Sequence, residues 1–198
     1  MENFYKFIIE NKVARISKTP FTLASGRTSN FYVNWRKVAE DVYLFSQLLQ
    51  FVLQFIKDQQ ITADTFYGVP EGGSKLGLFV QFFTAQEKSA ASGNAVLAMG
   101  RGKHKEHGDV SDRYFLGVPK GKIIVIEDVA TTGESLIKTI HQLQELKCGI
   151  VQAVLVLTDR EEKRNDGLTV REYIEERLHL NYYALSSGNK IKELLHDE

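Results

Sequence analysis

The sequence predicts an α/β fold with a central, mainly parallel sheet flanked by helices. Three observations carry that prediction. Ile123, Ile124, Val125 and Ile126 run without a polar break in "GKIIVIEDV", as in a strand covered on both faces. The stretch "ESLIKTIHQLQELKCG" follows with apolar residues at helical spacing, and "IVQAVLVLTD" is again an unbroken strand-length run. Strand, helix and strand in alternation give parallel pairing through a crossover helix.

The first forty residues do not fit the alternation. After them, "EDVYLFSQLLQFVLQFIKDQ" places Val42, Phe45, Leu48, Leu49, Val52 and Phe55 on or near one helical face. "DTFYGVP" reads as a short strand ending in a turn at Gly68, and "GSKLGLFVQFFTAQEK" as the helix after it. "NAVLAMG" is a further short strand. The charged, glycine-containing stretch from Gly100 to Phe115 is the best candidate for a linker. Gly149 is expected to close the crossover helix. The tail from Leu168 gives a helix, a short strand and a last helix capped by Ser187 or Asn189. Pro20, Pro70 and Pro119 are placed at element boundaries. There is no internal repeat or low-complexity segment. The expectation is one domain over 1–198, with a core of about 41–167 and a small hood lobe formed from about 1–40 and 168–198.

With 198 residues and 43% hydrophobic composition, the chain has enough apolar surface for one substantial core. Lys plus Arg equals Asp plus Glu at 25 each, so no global field draws in nucleic acid or an anionic membrane. Anion specificity must be local. The single cysteine, Cys148, excludes an intramolecular disulfide and multi-cysteine metal sites and fits a reducing compartment, with cytoplasm as the simplest reading. The N-terminus lacks the continuous apolar core of a signal peptide, and "LLQFVLQFI" and "LGLFVQFF" are too short to span a bilayer as helices.

In open α/β sheets, ligands bind beyond the carboxyl ends of the strands. There, Val129, Ala130, Thr131, Thr132, Gly133, Glu134 and Ser135 join a strand to a helix, offering hydroxyls and backbone N–H groups at the positive end of a helix dipole. This suits a monophosphate, and it lacks both the GxxxxGK[ST] and the GxGxxG patterns. Glu127 and Asp128, just before it, would repel a phosphate and need donors instead. The vicinal hydroxyls of a phosphorylated ribose supply them. The same pattern of acids and a Thr/Gly cap also closes strands in α/β proteins that hold no ligand.

Residues 123–135 resemble the phosphoribosyl-pyrophosphate (PRPP) signature of the type I phosphoribosyltransferases. Three further stretches are similar to the orotate phosphoribosyltransferase family and fall in that family's order. They are "FTLASGRTSNFYVNWR" (21–36), similar to "FTLKSGRKSPYY"; "RGKHKEHGD" (101–109), similar to the mobile loop "RKEAKDHGE"; and "LTDREE" (157–162), similar to "DRQEGG". The resemblance implies the type I phosphoribosyltransferase fold, transfer from PRPP to orotate, and Mg²⁺ bound mainly through the diphosphate and ribose hydroxyls, with no dedicated metal-ligand residues. It also implies a homodimer in which the 100–115 loop completes the neighbouring site. By position, Arg101, Lys105 and His107 match the loop's arginine, lysine and histidine, and Lys103 lies beside them. The charged stretch, which includes His104, has a plainer reading as a solvated surface loop. Arg160 matches the arginine that holds the orotate ring. Tyr32 or Phe31 would lie against the flat pyrimidine, with core packing as the other reading for either.

The chain departs from the family where pyrophosphate binds. "VPEGG" (69–73) stands in place of "PAYKG", so Glu71 replaces a tyrosine and Gly72 a lysine. Ala24 stands where the family has lysine, and Gly102 replaces a basic loop residue. Lys75, Lys103 or Arg27 are candidate substitutes, and backbone donors at Gly72 and Gly73 are another route to a pyrophosphate oxygen. These losses leave open a regulatory homologue that binds PRPP or a nucleotide without transfer, or an enzyme for another base such as a 6-oxopurine.

Overall fold

The computed structural model describes residues 2–22, 26–103, 105–107 and 109–196. Its elements run α1 (Glu2–Glu10), β1 (Ala14–Thr22), β2 (Thr28–Val33), α2 (Arg36–Glu40), α3 (Val42–Asp58), β3 (Thr65–Gly68), α4 (Ser74–Glu87) and β4 (Met99–Gly100). They continue with α5 (Val110–Tyr114), β5 (Phe115–Leu116), β6 (Lys122–Ala130), α6 (Glu134–Glu145), β7 (Ile150–Asp159), α7 (Val170–Glu172), a short π-helix (Tyr173–Arg177), β8 (Asn181–Ser187) and α8 (Gly188–His196). The main sheet has the order β5-β4-β3-β6-β7-β8. All its pairs are parallel except β4 with β5 at one edge.

The unbroken apolar strands are explained by two layers of cover. Ile124, Ile126, Leu155 and Leu157 face a core built with α1, α3, α4 and the β1–β2 hairpin. Ile123, Val125, Val154 and Val156 face α6 and the segment around Ile174. On α3, Phe45, Leu48, Leu49, Val52 and Ile56 are the buried stripe. Val42, expected on that face, is 87% exposed, because Asp41 caps the helix by accepting from Leu44 N and the first turn overhangs the core.

Several boundaries differ from expectation. Only Met99 and Gly100 of "NAVLAMG" pair as strand. The 100–115 stretch is not a linker: it leaves the sheet on β4 and returns on antiparallel β5, held at its base by Arg101 N donating to Tyr114 O at 2.9 Å. Helix α6 ends at Glu145, with Leu146 rather than Gly149 as its cap and Lys147 taking the positive φ. Gly149 serves close packing instead, since a Cβ there would lie 2.5 Å from the Gly121 carbonyl oxygen. Pro20 lies inside β1, where a bulge between Ile16 and Phe21 interrupts the ladder and no N–H is required.

The two chain ends meet over the sheet. Ser187 N donates to Tyr5 Oη at 3.0 Å, and α8 packs against β1. Ser187 caps α8 by accepting from Lys190 N. Trp35, 1% exposed, stacks on Phe4 and donates from Nε1 to Thr158 Oγ1 at 3.1 Å, which fixes the end of the hairpin above the carboxyl end of β7. Among the described residues, no helix is long and apolar enough to cross a membrane.

Candidate active site

A cleft of about 550 Å³ opens at the carboxyl ends of β3, β6 and β7, under the β1–β2 hairpin. Its floor is the end of β6 and the turn into α6, residues 127–135, all of which line it. Gly133 makes this turn possible. It takes φ +70° at the N-cap of α6, and a Cβ there would lie 2.9 Å from Val170 Cγ1, so both backbone conformation and packing require glycine. With no side-chain cap on α6, the first-turn N–H groups are left for a ligand.

The two acids differ. Glu127 is 7% exposed, with Oε1 accepting from Asp128 N at 3.0 Å. Burial, reinforced by the neighbouring Asp128 carboxylate, holds the Glu127 carboxyl well above the usual carboxylate range. Asp128 is half-buried, and its Oδ1 accepts from Val129 N at 2.8 Å.

Tyr32, Phe21 and Thr22 of the hairpin close the cleft from above, with Arg160 at the end of β7. Arg160 is 2% exposed; its Nη2 donates to Phe31 O at 2.9 Å and Ser29 Oγ at 3.0 Å and pairs with Glu162 at 2.5 Å. Its Nε is buried without a hydrogen-bond partner among the described residues. Phe31 does not reach the cleft. Its side chain is in the core beneath the Arg160 guanidinium, because alternation along β2 sends Tyr32 and Phe31 to opposite faces.

The β3–α4 turn forms another wall through Pro70, Glu71 and Gly72, with a cis peptide between Pro70 and Glu71. A Cβ at Gly72 would meet both Asp128 carboxylate oxygens at 2.7 Å, so glycine lets this wall approach the acids. Gly73 is a packing residue and not part of the cleft. Its N–H already donates to Val69 O at 2.9 Å, and a Cβ would strike Ile126 O at 2.4 Å. Glu71 leans toward the charged loop, where a Cβ at Gly102 would lie 2.9 Å from its Oε1. Two of the replaced family positions thus touch.

The substitute cations suggested by the sequence are engaged elsewhere or absent from the cleft lining. Lys75 Nζ donates to Ala39 O, and Arg27 donates to Lys163 O and Asn165 Oδ1. Lys103, Lys105 and His107 are exposed, and none of them lines this chain's cleft. Arg101 is tied into its own loop, with Nε donating to Asp112 O at 2.9 Å. Ala24 and His104 lie outside the described residues.

No protein-family model matches the chain. It is 28% identical to an orotate phosphoribosyltransferase of Sulfurisphaera tokodaii, with 98% of this chain and 97% of that one covered. To an orotate phosphoribosyltransferase of Sulfolobus acidocaldarius it is 30% identical, covering 81% of this chain and 74% of the relative. The chain belongs to the orotate phosphoribosyltransferase family. The crystal structure of orotate phosphoribosyltransferase from Aeropyrum pernix superimposes with a TM-score of 0.72 at 25% identity, over 98% of this chain and 99% of that one.

Within the orotate phosphoribosyltransferase frame, Arg164 is the residue that sequence reasoning missed. It stands at the second glycine of the family's "DRQEGG". Its Nη1 donates to Thr132 O, its Nε pairs with Asp166 at 3.1 Å, and its guanidinium lies 4.2 Å over the Tyr173 ring. The phosphate-type loop is thereby fastened from behind. No signal in the sequence announces this, because the acceptor is a backbone carbonyl thirty-two positions earlier.

Proposed function

We propose that this protein transfers the phosphoribosyl group of PRPP to orotate, releasing pyrophosphate and orotidine 5'-monophosphate. The observation that carries the reading is a single cleft combining the acid pair 127–128, an uncapped Thr/Gly helix turn and a buried arginine at the neighbouring strand end. Phosphate sits on the backbone of Ala130 to Ser135, and Glu127 and Asp128 orient the ribose diol. Arg160 borders the cleft at the end of β7, and its planar guanidinium is the group that meets the carboxylate of orotate. Tyr32 lies beside the base.

In the reaction, a ring nitrogen of orotate bonds to the anomeric carbon as that carbon's bond to the diphosphate oxygen breaks; the bonding pair leaves with pyrophosphate, and the ring nitrogen's proton passes to the released pyrophosphate. No covalent nucleophile on the protein is needed. Alignment of the two reactants by one cleft supplies much of the acceleration. Lys105, Arg101 and His107 stabilise the departing charge from the loop of a second copy, which fits their absence from the lining of their own cleft and makes the homodimer the active form. Phe79, Phe82 and Phe83 on α4 and Leu97, Leu116 and Val118 near the sheet edge expose apolar surface available to that copy.

Among the described residues, no group of three or more acids, histidines or cysteines is arranged to hold a metal. A substrate-borne Mg²⁺ needs only partial contact from the protein, and Asp128 and Glu71 are hard oxygen donors lining the cleft that fit that role. The ion neutralises diphosphate charge. The lone cysteine and the balanced charge suit a cytoplasmic enzyme.

The test is the loss of orotate absorbance with purified protein, PRPP and Mg²⁺, with hypoxanthine and uracil in parallel. PRPP-dependent loss of orotate alone is expected. Turnover with another base, or PRPP binding without any turnover, would replace the reading.

A further inference from the structure

We propose that Arg36 supplies the cation that the pyrophosphate side of this cleft lacks in its 69–73 turn. The inference rests on the phosphoribosyl-transfer reading and deepens it.

Position 72 carries no side chain, and with Asp128 where it stands a Cβ there would press on both of its oxygens at 2.7 Å. Its neighbour Glu71 adds negative charge. The wall against which a diphosphate would rest therefore needs a positive group from outside its own turn. Lys75 and Arg27 are committed to other partners, as described, and Lys103 does not line the cleft. The basic residues that do line it are Arg36 and Arg160, among the described residues. Arg160 is at the end of β7, buried and paired with Glu162.

Arg36 is placed for the task. The hydrogen bond from Lys75 Nζ to Ala39 O at 2.8 Å ties the end of α2 to the first turn of α4, and Arg36, at the start of α2, lines the same cleft as Glu71 and Gly72. The backbone at this point is rigid. Trp35 is anchored in the core through Thr158, and Arg36 N donates to Asn34 Oδ1 at 2.9 Å. The side chain is exposed and borders the cleft, and among the described residues its guanidinium has no hydrogen-bond or ion-pair partner. A fixed backbone with an uncommitted guanidinium provides a planar donor fork for a diphosphate, without first breaking an internal ion pair.

The experiment compares Arg36→Ala, Arg36→Lys and Arg27→Ala with the unaltered protein. It measures KM for PRPP and orotate, inhibition by pyrophosphate and by orotidine monophosphate, and calorimetric binding of Mg²⁺-pyrophosphate. For Arg36→Ala, the PRPP KM and the pyrophosphate inhibition constant rise about ten- to a hundredfold, as expected for loss of a charge-assisted contact. The orotate KM and the orotidine monophosphate inhibition constant stay unchanged, because neither ligand carries a diphosphate. Arg36→Lys recovers most of the loss, and Arg27→Ala shows none. An Arg36→Ala protein with ordinary pyrophosphate affinity overturns the proposal, as does equal weakening of all four ligands. If the unaltered protein consumes no orotate, the transfer reading fails. The calorimetry still decides whether Arg36 holds pyrophosphate.

Discussion

Glu127 and Asp128 are adjacent in sequence but sit in different surroundings, and Glu127 has the stronger consequence for stability. Its folded-state carboxyl is held above the ordinary range by burial and then by Asp128. A raised acid contributes stability that is fully present below the unfolded pKa and lost as pH rises through the folded one. Glu127→Gln removes that loss. The variant should match the parent in Tm near pH 4 and gain on it steadily toward pH 8, while phosphoribosyl transfer falls. A Tm difference that does not grow with pH would mean that Glu127 is not held protonated. Gly133 gives a second test at this scale. Gly133→Ala must adopt a left-handed φ at a cost of about 1–2 kcal/mol and also press on Val170. Adding Val170→Ala should return only the steric part of the lost stability in a denaturant titration.

The β6–α6 turn works as a unit because α7 and the 160–168 segment brace it from outside. Thr169 caps α7 in a reciprocal box with Glu172, which fixes Val170 against Gly133. Arg164 then holds the Thr132 carbonyl outward, away from the N–H groups that a phosphate would use. Arg164→Ala should weaken inhibition by ribose 5-phosphate about tenfold, the scale of one hydrogen bond from a charged donor, with a much smaller change in kcat. Equal loss in kcat would instead place Arg164 in the chemical step. On the opposite wall, glycines 68, 73 and 77 bring α4 onto β3 with backbone nearly touching backbone, since a Cβ at Gly77 would lie 2.2 Å from Gly68 N. That close approach seats the 69–73 turn against the cleft, where Gly72 offers only backbone and Glu71 its carboxylate.

Across the whole molecule, the cleft is assembled from segments far apart in the chain: the hairpin, the β3–α4 turn, β6 with its loop, and Arg160. The basic loop between β4 and β5 is the element of the orotate phosphoribosyltransferase pattern that stays outside it. If that loop serves a second copy, Lys105→Ala and Asp128→Ala are each inactive alone yet complement when mixed. Half of the re-equilibrated dimers are then mixed, and each holds one intact site, giving about one quarter of the parent activity. Mixing that restores nothing would show that each chain completes its own site. Analytical ultracentrifugation of the same samples checks that dimers form.

The sequence by itself determined the parallel core, because strands buried on both faces must be apolar throughout, and β6, α6 and β7 were legible from that alone. It also determined the acid pair and the Thr/Gly turn, whose chemistry is local: neighbours in the chain are neighbours in the site. The tertiary structure decided what depends on contacts between distant segments. It sent Phe31 into the core and Tyr32 to the cleft, used up the Gly73 N–H in packing, and turned the presumed linker into a sheet edge. It also drew Lys75 and Arg27 away from the cleft and left Arg36 at its lip. Residue types carry charge and hydrogen-bonding capacity, but the partner each group takes is fixed only when the chain closes on itself.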